Sequence, residues 1–266
     1  KYFESESSPS PASRSSSFCL SLDDSLAQVW LPAATVKIIC TPGVFTAPGE
    51  TFETIVSTPK KTYWVIPVII SIIVGIIVSF LFMRDEQLIS GMMDKQKASL
   101  EKRMEEQVKE GKMTNEQAKV AIENAEKFMD PKGVFFQVIG YGGAVVTPFL
   151  MLFILSLVYL IILKILKADF DFTNILNVVG LSMLVTVAGA VVGLVLSIVL
   201  GEVSSLSLGL VFKDTVVGDK LHELFMKLDV FSIWYYILVA IGLSKVAKIS
   251  QAKSYIIVFC VWIVWI

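Results

Sequence analysis

The chain has 266 residues, of which 55% are hydrophobic and only 18% charged, with a formal net charge of −1 and a mean hydropathy of +0.70. Soluble domains carry about 25% charged residues, so the balance excludes an ordinary water-soluble domain, and the near-neutral total excludes the basic footprint of a nucleic-acid binder. Cys19, Cys40 and Cys260 have no paired spacing, and Cys260 sits in an apolar run, which excludes a disulfide or metal framework.

The opening of the chain offers little to bury. Ser5 to Ser17 is rich in Ser and Pro and is expected to be disordered. Leu26 to Phe45 is moderately apolar but is interrupted by Pro32, Lys37, Pro42 and Gly43, and it lacks the basic leader and clean apolar core of a signal peptide. Residues 1–49 are therefore expected to be a disordered or artefactual extension, with the folded domain over 50–266. Glu50 to Lys61 places Phe52, Ile55 and Val56 on one face of a short helix that ends at Ser57-Thr58-Pro59. An amphipathic helix directly ahead of a spanning segment is expected to lie in the membrane interface.

Five apolar segments follow: Tyr63 to Met83, Val134 to Leu166, Asn174 to Leu200, Val230 to Ala247 and Ser254 to Ile266. The first three each run for about twenty residues or more without an internal charge, the length that crosses a bilayer as a helix. The fold expected is an all-α polytopic membrane bundle of five transmembrane helices, the fifth truncated at Ile266. Lys60 and Lys61 mark the start of segment one, with Tyr63 and Trp64 at headgroup depth. Ser71, Gly75 and Ser79 give that segment a small-residue face. Between segments one and two, residues 85–130 read as a charged helical hairpin. Leu88, Met92, Leu100, Met104 and Val108 line its first helix, and Gly111-Lys112-Met113 breaks the pattern. Thr114 and Gln117 then restart it as a capping box ahead of Ala118, Ala121, Ile122, Ala125, Phe128 and Met129. The apolar faces are expected to pack on each other or on the membrane surface.

Segment two is too long for a simple span. Gly140-Tyr141-Gly142-Gly143 is expected to break it into an interfacial piece and a span kinked near Pro148. Segment three carries Gly180, Gly189 and Gly193, the last two in a small-xxx-small pattern that lets helix backbones approach. Gly75, Gly189 and Gly193 are thus the helix-packing candidates. Glu202 to Asp229 reads as a loop with a short helix around Lys220 to Lys227. Segment four starts at Asp229, carries Trp234, Tyr235 and Tyr236 near its start, and ends at Lys245 and Lys248. Asp229, Trp234 and Lys245 join Lys60, Lys61 and Trp64 as membrane-interface candidates. With the N-terminus inside, the short inner loops collect Lys60, Lys61, Lys164, Lys167, Lys245, Lys248 and Lys253, as the positive-inside rule prefers.

Catalytic constellations are missing. His222 is followed by Glu223, but Met226 occupies the position where a zinc protease needs its second histidine. Ser182, after Gly180-Leu181, has no histidine on another span to act as its base. There is no phosphate loop and no dinucleotide fingerprint, so neither enzymatic activity nor a cofactor is expected. Asp, Glu, Lys and Arg cluster at segment ends, which disfavours a proton-coupled carrier. Mid-membrane polarity is limited to residues such as Asn177, Thr186 and Ser197.

Three stretches carry a family resemblance: the opening ETFETIVSTPKKTYWVIPVIISIIVG, the insert with its GKMTNEQA turn, and the closing LDVFSIWYYILVAIGLSKVAKISQAKSYIIVFCVWIV. Over Glu50 to Ile266 the chain resembles the Yip-one family, the Ypt/Rab-interacting membrane proteins, in its prokaryotic branch. The resemblance implies five spanning helices, a cytoplasmic N-terminus and no enzymatic activity. Eukaryotic members act with Rab GTPases in vesicle traffic, but their Asp-Leu-Tyr-Gly-Pro motif does not occur in this chain. The function expected is organisation of partners in the membrane, prokaryotic and cytoplasmic. Membrane lipids, membrane or peripheral proteins and further copies of the chain are the candidate partners, and nucleic acid is not. A small-solute permease or channel subunit, with a cavity lined by Asn177, Thr186 and Ser197, is the alternative.

Overall fold

A computed structural model of the protein describes residues 43–57, 62–128, 130–131, 133–212 and 224–265. The expectations that rest on residues 1–42, on Lys60 and Lys61, and on His222 lie outside the described residues. One compact unit of the chain runs from Val44 to Ile266. Val44 is fully buried, and the Phe45 ring meets Trp234 edge-on at 5.6 Å.

The helices are α1 (Pro48–Ser57), α2 (Val65–Arg84), α3 (Glu86–Lys109), α4 (Asn115–Phe128), α5 (Val134–Ile165), α6 (Phe172–Leu200), the short α7 (Leu208–Val211), α8 (Val230–Val246) and α9 (Gln251–Trp265). Aspartates set three of the starts. Asp85, Asp171 and Asp229 each turn a carboxylate onto the first free backbone N–H groups of α3, α6 and α8, which that end of a helix would otherwise leave without partners. The capping box is present in α4. The Thr114 N–H donates to Gln117 Oε1 at 2.9 Å, and the Gln117 N–H donates to Thr114 Oγ1 at 3.2 Å. Gly111, at φ 71°, makes the left-handed turn between α3 and α4.

Helices α2, α5 and α6 are long and apolar enough to cross a membrane, and α8 and α9 are shorter apolar helices. The 20 residues of α2 span about 30 Å, the thickness of the hydrocarbon layer. Helix α5 runs unbroken for 32 residues with Pro148 inside it, so the break expected at Gly140-Tyr141-Gly142-Gly143 does not occur. Each glycine costs a helix about 1 kcal/mol, whereas an unsatisfied backbone group in hydrocarbon costs several. Keeping the helix intact is therefore the cheaper solution.

Side-chain neighbours fix the directions. Trp64 lies against Gly180 and Gln87 against Gly201, so α2 and α6 run parallel. Gly189 lies against Phe231 and Gly242 against Val178, so α6 and α8 run antiparallel. Helix α9 returns along α8, with the Ser254 hydroxyl donating to the Ala240 carbonyl at 2.6 Å and Tyr236 beside Trp262. Helix α6 is the central pillar, packed against α1, α2, α5 and α8.

The core is confined to one half of this bundle. Every α6 residue from Ile175 to Val185 is buried, whereas beyond it only Leu194 and Ser197 are. The buried residues of α2 are Pro67, Val68 and Ser71, near its start, and those of α5 run from Leu152 to Leu163, near its end. All of these lie at the end carrying α1 and the 166–171 and 247–250 turns, the basal end. Toward the opposite, distal end few helix residues are buried. Ile73, Ile77, Val146, Leu150, Val195 and Val199 stand uncovered by protein, an apolar band that hydrocarbon tolerates and water does not.

Helix α1 is amphipathic as expected, yet its apolar face is not left for lipid. Phe52 and Ile55 are buried where α1 packs on α8 and α6, and Glu53 pairs with Lys245. A second pair, Lys248 with Asp169 at 3.0 Å, ties the two basal turns together.

Candidate functional site

The polar residues nominated from sequence do not meet in one place. Asn177 is fully buried, and its Oδ1 accepts the Trp64 backbone N–H at 3.2 Å. It therefore caps the start of α2 from the neighbouring helix. The Ser197 hydroxyl donates to the Gly193 carbonyl at 2.7 Å and accepts the Ser204 N–H at 2.9 Å, which pins the loop after α6. The Ser182 hydroxyl is spent on the Val178 carbonyl. Thr186 lines the two cavities described below, and Asn177 and Ser197 do not line either of them.

The nominated glycines also differ from one another. A Cβ at Gly75 would make ordinary contact with Ala144 of α5, and one at Gly193 would meet the Ser204 carbonyl of the folded-back loop at 3.4 Å. At Gly189 it would approach Phe231 of α8 to 2.8 Å. Two glycines that the packing candidates leave out are also closely approached, Gly180 by Trp64, whose Cα lies 2.9 Å from an added Cβ, and Gly242 by the Val178 side chain.

Among the interface candidates, Asp229 caps α8, its Oδ1 accepting from the Phe231 and Ser232 N–H groups at 2.9 and 3.1 Å. Trp234 and Trp64 are half-buried and packed on Phe45 and Phe153, and Lys245 holds Glu53. All four are thus engaged by protein groups. In the hairpin α3 and α4 pack on each other, with Lys97 and Glu126 paired across them at 2.6 Å. Lys95 reaches Glu202 at 3.5 Å, linking the hairpin to the distal loop. Among the described residues no group of His, Cys, Asp and Glu could hold a metal ion.

Among α2, α5, α6 and α8 lies a cleft of two chambers. The outer one, of about 590 Å³, is bounded by Gly189, Ser205, Lys227, Asp229 and Trp262. The inner one, of about 350 Å³, lies among Ser71, Gly75, Thr147, Pro148, Leu155 and Tyr235. Thr186, Ala190, Ser232 and Tyr236 line both, so the chambers adjoin. Near the inner end three buried hydroxyls, those of Ser156, Tyr159 and Tyr235, have no hydrogen-bond partner among the described residues. Periodicity could not have found this site, because its walls are the same Ser, Thr, Tyr and Gly residues that elsewhere serve only packing.

The Yip1 domain matches residues 43–266. The chain belongs to the Yip1 family. That is a non-enzymatic family of membrane proteins, and a membrane location agrees with the three helices long and apolar enough to span. The matched stretch takes in every helix named above, so the cleft is a feature within the Yip1 domain. No curated protein and no solved structure matches the chain.

Proposed function

We propose that this Yip1 protein is a non-enzymatic, five-crossing membrane protein of the prokaryotic-type branch, which organises protein or lipid partners in the cytoplasmic membrane with its N-terminus inside. Support for five crossings comes from α8 and α9, shorter apolar helices of which α8 runs antiparallel to α6 and α9 returns along α8. Support for the orientation comes from Lys164, Lys167, Lys245, Lys248 and Lys253, which belong to the basal turns and the helix ends beside them. Support for the branch comes from the missing Asp-Leu-Tyr-Gly-Pro string.

The observation that carries the organising role is the contrast between the two halves of the bundle. A filled apolar core closes the basal half, while toward the distal end apolar helix faces stand uncovered by protein beside a cleft. This supports lateral association over a small-solute permease or channel subunit, which needs a polar route through both halves. Isolation of the full chain in mild detergent, followed by mass spectrometry of what accompanies it, tests the role. A reproducible set of stoichiometric lipids, membrane proteins or further copies is expected. Recovery of the bare chain from every mild detergent contradicts it.

A further inference from the structure

The chain after α6 does not stay at the distal edge of the bundle. Arg84 and Asp85 close the distal end of α2, the helix whose length matches the hydrocarbon layer. Gln87 lies against Gly201, so α6 ends at that same level. Helix α8 starts much lower, because Phe231 lies against Gly189, about eleven residues before the end of α6. At 1.5 Å per residue this is a drop of about 16 Å, roughly half the hydrocarbon thickness. Residues 203–207, which are not helical, follow α6 downward. The Ser204 carbonyl lies against Gly193 and accepts from the Ser197 hydroxyl at 3.2 Å, while the Ser204 N–H donates to that hydroxyl at 2.9 Å. Ser207 then pairs with Asp229 in an antiparallel bridge, and the Val230 N–H donates to the Leu206 carbonyl at 3.1 Å.

The side chains of this descending segment sort by polarity. Val203, Leu206 and Leu208 stand uncovered by protein. Ser204 is bonded to α6, Ser207 is buried, and Ser205 lines the outer chamber of about 590 Å³. Non-helical backbone at membrane depth persists only where it is buried in protein or lines a water-filled cavity. A carboxylate at such depth needs a polar setting too, and the chamber extends to Asp229, Thr186 and Ser232. We propose that residues 203–208 form a re-entrant segment in the distal leaflet, and that the chamber behind it is a vestibule filled with water. At ~30 Å³ per molecule it holds about twenty waters. The vestibule opens on the distal side alone, because a filled core closes the basal half. Helix α8 has 17 residues and rises about 25 Å, short of the ~30 Å of hydrocarbon. Its start at the vestibule lets so short a helix complete a crossing, with its Asp229 cap in water. The inference goes beyond the partner-organising role and does not depend on it.

Thiol reactivity tests it, because the thiolate is the nucleophile and forms only where water can take the proton. The full chain carries Cys19→Ser, Cys40→Ser and Cys260→Ser, with Ser205→Cys, Val195→Cys or Glu106→Cys added one at a time. Val195 stands on the exposed face of α6 at the depth of the segment, and Glu106 is exposed in the hairpin. A permanently charged thiosulfonate reagent is applied to intact cells and to inside-out membrane vesicles, and the side from which Glu106→Cys reacts is the distal side. From that side Ser205→Cys is expected to react within about tenfold of Glu106→Cys, and Val195→Cys at least about 100-fold more slowly. From the other side Ser205→Cys is expected to be protected. Ser232→Cys, on the chamber wall, replaces Ser205→Cys should that variant fail to fold. Reaction at the vestibule position as slow as at Val195→Cys overturns the proposal, since no water then reaches the segment. Fast reaction at both overturns it too, since the whole distal leaflet is then thinned around the bundle. Reaction from both sides overturns the distal opening. None of these outcomes alters the set of co-purifying partners, so the organising role stands or falls separately.

Discussion

A methyl group added at Gly180 would lie 2.7 Å from the Trp64 side chain and 2.9 Å from its Cα, and one at Gly189 would lie 2.8 Å from Phe231. Neither neighbour is the free end of a flexible chain, so helices must separate to admit it. Gly180→Ala and Gly189→Ala are expected to cost about 1–3 kcal/mol, the range for overpacking a tight site. Gly193 faces a loop carbonyl at 3.4 Å, an ordinary contact, and alanine favours a helix over glycine by about 0.5–1 kcal/mol. Gly193→Ala is therefore expected to be neutral or mildly stabilising. Melting temperatures of the three variants in one detergent check the order, and equal melting would mean that α6 is not closely approached at Gly180 or Gly189. In the sequence these three glycines look alike. Spacing shows that Gly189 and Gly193 share a face of α6, but not that the neighbour is a helix at one position and a folded-back loop at the other.

At the scale of elements, local chemistry was the most legible. The Thr114 and Gln117 pair could be read directly, because a capping box is a contact between residues three apart and needs no tertiary information. Thr114→Ala removes one of its two reciprocal bonds and is expected to cost α4 about 0.5–2 kcal/mol. The measurement is amide exchange, faster in α4 and unchanged in α6. The Lys97–Glu126 pair gives the hairpin a defined pH response. The Glu126 hydrogen bond, and then its charge, raises the Lys97 pKa above the ordinary 10.5. The stabilising contribution is thus complete below the ordinary value and is lost as pH rises through the raised one. Hairpin order, followed by helical circular dichroism from neutral pH upward, is expected to be flat at first and to weaken in strongly alkaline solution. The pair is solvent-exposed, so the effect is small. The sequence misled at Gly140 to Gly143 because glycine clusters break helices in water, where freed backbone groups are solvated, and hydrocarbon withholds that compensation. It misled at α1 as well, since an apolar face shows that a helix must dock but not on what.

At the scale of the whole molecule, hydropathy gave the membrane and the order of the segments. It is blind to rotation about the axis of an all-apolar helix, however. For that reason the closed basal half and the uncovered distal faces, and with them the cleft, were not legible. The orientation is testable by labelling. With the N-terminus inside, a cysteine at Glu106 in the distal hairpin is expected to react with an impermeant maleimide on intact cells, and labelling only after permeabilisation would invert the bundle. The central claim is that Yip1 helices here close one half of the membrane and gather partners in the other, without carrying solute across. Its most direct test is solute flux into proteoliposomes carrying the purified chain alone. Uptake of small ions, sugars and amino acids is expected to match that of protein-free liposomes, and reproducible uptake of any of them in proportion to the protein present would contradict the account.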